Sequence, residues 1–185
     1  MIDETLLEAE EKMDKALGVA KEDFSAIRTG RVTPSMFNKI NAEYYGTPTP
    51  IQQLASFTVP EARMVLIQPF DRGSVVAIIK AVRESDLGVN PTDDGAVIRV
   101  VFPELSEERR KEYIKVARTK AEHAKVSIRN IRRSAKETLD KMIKDGDAGE
   151  DEIRRAEKEL DDVTQKHVAK VDELLKHKEA ELLDI

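Results

Sequence analysis

The sequence predicts an α+β protein in which a long antiparallel three-helix bundle carries a small inserted β/α domain. Amphipathic helical patterns occupy both ends of the chain. Six of the seven prolines lie between Pro34 and Pro91, where charge is sparse. Charged residues make up 36% of the 185 residues and aromatic residues only 4%. That composition is typical of helices packed along narrow seams with much charged surface.

The first helix is predicted from apolar residues that recur at steps of three and four from Ile2 to Ile27. This spacing places them on one helical face. Gly30 is predicted to end the helix, and Pro34 discourages the chain from restarting it.

The middle of the chain predicts strands and one short helix. Residues 39–45 alternate as in a half-buried strand. Turn chemistry marks 46–50 and 90–95. The remaining elements are predicted as strands at 57–59, 63–67 and 96–102 and a helix at 74–84.

The second and third helices follow from Ser106, where the helical pattern returns for about 40 residues. Its apolar seam is rich in alanine. A break at 144–149 precedes a third helix with a seam from Ile153 to Leu182. Because the break is short, these two helices are predicted to be antiparallel neighbours.

The domain prediction follows from this order of elements. The bundle comprises residues 1–30 and 105–185, and the inserted β/α domain comprises 31–104. Two connections, near 29–34 and 102–106, suit a hinge. The predicted hinge residues are Thr29, Gly30, Arg31, Pro103, Glu104 and Leu105.

A one-sided run of basic residues lies on the second predicted helix. From Arg109 to Lys136 there are 11 basic and 2 acidic side chains, in a chain of net charge −5. At 100° per residue, eight of them share about a third of the helix circumference. We call these eight the basic stripe: Lys111, Lys115, Arg118, Lys125, Arg129, Arg132, Arg133 and Lys136.

The basic stripe has two interpretations. Arginines in a row on a rigid helix suit the phosphates of a nucleic acid, and recognition by shape fits structured RNA. Alternatively, the stripe is a solvated face paired with the acidic helices at either end of the chain. Arg28 and Arg31 either extend the basic surface, belong to the hinge, or are cations favoured at a helix C-terminus.

Catalytic and metal-binding patterns are weak. There is no cysteine, and the three histidines lack metal-ligand spacing. His167, on the third helical seam, is interpreted as a core histidine. The phosphate-binding glycine motifs are absent, and residues 93–95 (DDG) match only part of a calcium loop. No apolar run approaches the length of a membrane span, and the acidic N-terminus is unlike a secretory signal. We therefore expect a cytoplasmic protein that is not an enzyme and has no cofactor.

Several short motifs occur together along the chain. They are residues 27–31 (IRTGR), 45–51 (YGTPTPI), 85–91 (SDLGVNP), 94–95 (DG), 105–110 (LSEERR) and 126–133 (VSIRNIRR). In this order, and over essentially the full length, the sequence resembles the bacterial ribosome recycling factor family.

This resemblance implies an L-shaped, two-domain molecule of near-tRNA dimensions. It implies binding to the large ribosomal subunit across the A and P sites after termination. Elongation factor G with GTP would then drive the short arm and split the subunits for reuse. The resemblance assigns RNA contacts to Arg129, Arg132 and Arg133, with Arg28 and Arg31 nearby; the other stripe residues are our extension from helix geometry.

Two alternatives remain. One is a non-catalytic protein–protein adaptor whose basic helix binds an acidic partner. The other is an enzyme that uses a cleft of the β/α domain, for which the sequence offers no supporting residues. In the preferred interpretation the chain is a monomer, binds no membrane, and has ribosomal RNA and elongation factor G as its partners.

Overall fold

The computed structural model of this chain describes residues 1–183. Its backbone divides into two compact units. One unit contains Met1–Phe24 and Lys115–Glu179, and the other contains Ser25–Ile114 with the described residues from Ala180 onward. The unit borders fall inside helices, so the predicted domain borders near residues 30 and 105 stay a prediction.

The elements alternate between long helices at the ends of the chain and short elements in its middle. In chain order they are α1 (Ile2–Ser25), β1 (Asn41–Tyr44), β2 (Thr47–Pro50), α2 (Ile51–Leu54), β3 (Ala55–Glu61), β4 (Met64–Pro69), α3 (Val75–Arg83), β5 (Thr92–Asp93), β6 (Ile98–Val101), α4 (Glu107–Lys144) and α5 (Glu150–Leu183). Single 3₁₀ turns occupy Pro34–Phe37 and Arg72–Ser74.

The helical unit packs along the predicted seams, which are confirmed in most positions. The buried residues of α1 are Ala9, Met13, Leu17, Ala20 and Phe24. Those of α4 are Ala117, Ala121, Ala124, Ile128, Ala135, Leu139 and Met142. On α5, Ile153, Ala156, Leu160 and Val171 are buried. Each long helix therefore buries one apolar face, and the buried face of α4 is rich in alanine.

The end of the first helix was predicted wrongly. Helix α1 ends at Ser25, not near Gly30. Ile27 is nevertheless buried, at 6% exposure, in irregular backbone. The apolar spacing thus continues past the helix end because Ile27 is buried, not because it is helical.

Helix α4 begins and ends at local signals. At the start of α4 the Arg109 N–H donates to Ser106 Oγ at 3.2 Å, as in an N-cap. At its end Gly146 has φ +72°, and the Asp147 N–H donates to Met142 O at 2.9 Å. This is a Schellman motif, which ends the helix and reverses the chain.

The second unit contains two antiparallel sheets. One is a ribbon of β1 and β2, and the other has four strands in the order β3-β4-β6-β5. Their core includes Phe37 and Phe102, both at 0% exposure, with ring centroids 6.0 Å apart in an edge-to-face arrangement. Ile78 and Val82 of α3 are buried in the same core.

The loop predicted at 46–50 is instead strand β2. Tyr45 and Gly46 have φ of +50° and +77°, so they form the left-handed pair that a type I′ hairpin turn requires. The register pairs Glu43 with Pro48 and Asn41 with Pro50. Both prolines thus occupy alternate positions on an edge strand, where their missing N–H groups do not interrupt pairing.

The other short elements differ only in detail from the prediction. The predicted turn at 90–95 contains the two-residue strand β5, and α2 was not predicted. The predicted strand at 57–59 is confirmed within β3, and the strand predicted at 63–67 is confirmed as β4, which begins at Met64. The helix predicted at 74–84 is confirmed as α3, which is one residue shorter at each end. No helix in residues 1–183 is both long and apolar enough to cross a membrane.

Shortening a buried side chain of α4 tests the alanine-rich seam. Ile128 is fully buried, so Ile128→Ala should lower the free energy of unfolding by about 2–5 kcal/mol. Val126 on the same helix is 44% exposed, and Val126→Ala should change it by less than about 0.5 kcal/mol. Urea unfolding followed by circular dichroism measures both, and equal losses would contradict the packing described.

Candidate nucleic-acid interface

The basic stripe lies on α4, and most of its side chains are exposed. Lys125 and Arg132 are partly buried and lie nearest the apolar seam. Helix periodicity explains why these two side chains are partly buried, because their positions fall on the edge of the stripe that adjoins the buried residues. The stripe is therefore a continuous surface with one edge against α5.

Three cations on this edge pair with carboxylates of α5. Arg118 Nε lies 2.8 Å from Glu179 Oε1. Lys125 Nζ lies 2.7 Å from Asp172 Oδ1. Arg132 Nε lies 2.6 Å from Asp161 Oδ1. The alternative interpretation, a basic helix paired with an acidic neighbour, thus describes part of the stripe.

Two further stripe cations make looser contacts with carboxylates of their own helix. Lys111 Nζ lies 3.7 Å from Glu107, and Arg129 Nη1 lies 3.6 Å from Glu122. Pairs this exposed contribute about 0–1 kcal/mol to stability and are screened by salt. A phosphate group would therefore displace or share these contacts at small cost.

The remaining stripe cations form the free part of the surface. Within residues 1–183, Lys115, Arg133 and Lys136 have no ion pair and are exposed. Together with Arg129 they supply four positive charges to solvent along α4. Guanidinium and ammonium groups in such a row provide N–H donors for a run of phosphate oxygens.

Arg28 occupies a different environment from the stripe. Arg28 is only 6% exposed, and its guanidinium carbon lies 5.2 Å from the centre of the Phe102 ring. Its Nε is buried without a hydrogen-bond partner. Burial, with Arg63 and Arg109 nearby, lowers the pKa of the Arg28 guanidinium below its ordinary value. Arg28 is thus a cation–π contact inside the second unit.

The predicted hinge residues come from two chain segments that line one cleft. Thr29, Gly30 and Arg31 line it from the first segment, and Glu104 and Leu105 line it from the second. The Thr29 hydroxyl donates to Arg31 O at 2.9 Å, and Glu104 lies 3.7 Å from Arg63. Arg31 and Pro103 are exposed, and Leu105 is buried.

The histidine prediction is confirmed for His167, whose side chain is 4% exposed. Its Nε2 lies 2.6 Å from Asp14 Oδ1, and its Nδ1 lies 2.8 Å from Val163 O. This histidine therefore joins α5 to α1 inside the helical unit. Among residues 1–183 no group of three or more histidine or carboxylate side chains is arranged to hold a metal ion.

The acidic turn at 93–95 uses its carboxylates locally. The Gly95 N–H donates to Asp93 Oδ1 at 2.9 Å, and Asp94 Oδ2 pairs with Arg99 at 2.9 Å. The first contact lies in the turn between β5 and β6, and the second joins this turn to Arg99 of β6. They account for the residue pattern without a bound ion.

Comparison with known proteins identifies the class to which this architecture belongs. The family model described as "Ribosome recycling factor" matches residues 20–183. The ribosome-recycling factors of Streptomyces coelicolor and Acidothermus cellulolyticus are 71% and 68% identical to this chain over 185 residues, which cover all of both sequences in each comparison.

Two solved structures share the fold. A solution structure of a ribosome recycling factor is 38% identical, with a TM-score of 0.78 over 100% of this chain and 98% of the other. The second is 39% identical, with a TM-score of 0.69 over all of both chains. It presents models for the T. thermophilus ribosome recycling factor and the E. coli elongation factor G bound to the E. coli post-termination complex.

The chain is therefore a translation factor and not an enzyme. It belongs to the ribosome recycling factor family.

The buried position of Arg28 gives a direct prediction. Arg28→Ala removes both the packed stem and the cation–π contact, so it should lower the free energy of unfolding by about 1–3 kcal/mol. Arg31→Ala, at an exposed position, should change it by less than about 0.5 kcal/mol. Thermal unfolding of the two variants tests this, and a stable Arg28→Ala protein would show that Arg28 is dispensable for folding.

Proposed function

We propose that this protein binds ribosomal RNA of the large subunit after termination and, with elongation factor G and GTP, splits the post-termination complex into subunits for reuse. Membership of the ribosome recycling factor family supports the proposal. So does the solved relative presented with elongation factor G on a post-termination complex. In this role the protein acts as a monomer in the cytoplasm and hydrolyses nothing itself.

The observation that carries the RNA-binding step is the exposed cationic face of α4. Lys115, Arg129, Arg133 and Lys136 offer their charge to solvent, and Arg118 and Arg132 keep terminal amino groups beside it. Arg28 supports the fold in this proposal and makes no RNA contact. Lys125 has a side chain only 18% exposed and is held by Asp172, so it has a structural role.

The mechanical step requires a second domain that responds to an applied force. The proposed hinges at 29–34 and 102–106 consist mainly of irregular backbone between regular elements. A helix or strand resists bending through its repeated hydrogen bonds, whereas irregular segments absorb changes in φ and ψ. Anchoring of α4 on RNA would leave the β/α domain to move when elongation factor G acts.

Removal of one free cation tests the anchor. Arg133→Ala should slow splitting of post-termination complexes with elongation factor G and GTP, followed by light scattering. The same variant should bind large subunits more weakly and lower the slope of log affinity against log salt by about one unit. Arg154→Ala, at an exposed arginine on α5, is the matched control and should retain splitting.

The outcomes separate the candidate functions. Splitting by the parent and the control, with loss in a folded Arg133→Ala variant, supports recycling and the anchor. Full splitting by Arg133→Ala would move the anchor to other residues. An inactive parent that shows no salt-sensitive binding to large subunits would favour the adaptor interpretation.

Domain movement is tested by single-molecule energy transfer. Because the chain contains no cysteine, Glu137→Cys on α4 and Val76→Cys on α3 provide two specific labelling positions. We expect transfer efficiency to change when the labelled protein binds post-termination complexes with elongation factor G. An efficiency that is the same free and bound would count against the hinge.

A further inference from the structure

Two arginines of the basic stripe are held by α5 carboxylates in the same way. Arg132 donates its Nε–H to Asp161 Oδ1 at 2.6 Å. Arg118 donates its Nε–H to Glu179 Oε1 at 2.8 Å. In both cases the acid comes from the neighbouring helix and engages the nitrogen nearest the aliphatic stem. This shared geometry differs from the contact of Arg129, whose terminal Nη1 lies 3.6 Å from Glu122.

The Nε contact occupies one N–H donor of each guanidinium and leaves the donors of the terminal nitrogens available. A guanidinium carries five N–H donors in a planar fork, four of them on the two terminal nitrogens. Within residues 1–183 those terminal nitrogens have no hydrogen bond in Arg118 or Arg132. The arginine side chains are 65% and 38% exposed, so solvent and ligands reach them. A phosphate prefers to meet such a fork with two parallel hydrogen bonds.

We propose that Asp161 and Glu179 are positioning residues, which fix Arg132 and Arg118 so that their terminal amino groups are ordered before a phosphate arrives. The inference rests on the proposed function, since it concerns how the same surface of α4 meets RNA. A free arginine loses much rotational freedom when it binds. Ordering it in advance moves that cost from binding to folding, which strengthens binding.

The alternative is competition, in which each carboxylate neutralises its arginine and so weakens the attraction between that arginine and a phosphate. Two observations favour positioning. The recorded contact is through Nε in both pairs, which leaves the phosphate-binding edge open. Asp161 is itself 49% exposed, so water and salt screen its repulsion of a nearby phosphate. Positioning depends on a local hydrogen bond and is not screened in this way.

The chain offers a set of variants that separates these effects. Asp161→Ala removes the acceptor, whereas Asp161→Asn keeps an oxygen that accepts from Arg132 Nε but removes the charge. Asp162→Ala is the matched control, because it removes the same charge one residue further along α5 at an exposed position. Glu179→Ala and Glu179→Gln repeat the comparison at Arg118.

Affinity for purified large ribosomal subunits is measured for each variant at several salt concentrations. We expect Asp161→Ala to weaken binding about three- to tenfold, the cost of ordering one long side chain. The affinities of Asp161→Asn and Asp162→Ala should stay within about twofold of the parent's affinity, because neither change frees the Arg132 side chain. In an Arg132→Ala background, Asp161→Ala should cause no further loss, because the side chain that it positions is gone.

Several outcomes would overturn the inference. Tighter binding by Asp161→Ala and Asp161→Asn would establish competition, and unchanged binding by Asp161→Ala would deny any role. Equal losses in Asp161→Ala and Asp162→Ala would assign the effect to the charge of α5 and not to the contact with Arg132. Helical circular dichroism shows whether each variant is folded. A parent that fails to bind large subunits would reject the proposed function itself, whereas a binding parent with unaffected Asp161 variants would reject only this inference.

Discussion

Burial of the apolar seams of the long helices is the constraint on which the rest of the structure depends. Residues such as Ala117, Ala121 and Ala124 of α4 are buried in this seam. Burial of the seams holds the helices side by side, so longer polar side chains next to the seams meet those of the neighbouring helix. The ion pairs from α4 to α5 and the contact of His167 with Asp14 are contacts of this kind.

The same packing determines what the basic stripe offers to a ligand. Helix α4 taken alone carries a nearly uniform positive face. Helix α5 brings carboxylates against one edge of that face, so the charge available to solvent shifts toward the opposite edge. The surface is therefore graded, with Arg132 and Lys125 held at the edge beside α5 and the free cations Lys115 and Arg133 at the opposite edge. Such a gradient combines a long-range attraction with a few fixed donors, which suits recognition of a nucleic acid by shape.

The long helices were predictable because each seam repeats over many turns, whereas the short elements were not. Strand β2 contains Pro48 and Pro50, which normally indicate a loop, and its pairing depends on a turn at Tyr45 that is unusual for an aromatic residue. The stripe was predictable from helical spacing alone. Its partners on α5 depend on tertiary contact, although one signal existed: Arg132 and Asp161 lie nearly equally far from the turn that joins the helices.

The position of Arg28 was not predictable for a related reason. Periodicity extended the first helix through that residue, which would have left its side chain on a helix end. Because α1 stops at Ser25, the following chain turns inward and places Arg28 over Phe102. Because the helix ends earlier than predicted, Arg28 is buried where a surface position was expected.

The prolines of β2 have a consequence for the behaviour of the protein in concentrated solution. Strand β2 is an edge of a two-stranded ribbon, and such edges readily recruit strands from other molecules. The N–H groups of Thr47 and Thr49 are directed toward β1, and the alternate positions are prolines that have none. The outward edge of β2 therefore offers no N–H donors for intermolecular β-pairing, which disfavours aggregation by strand addition at this edge.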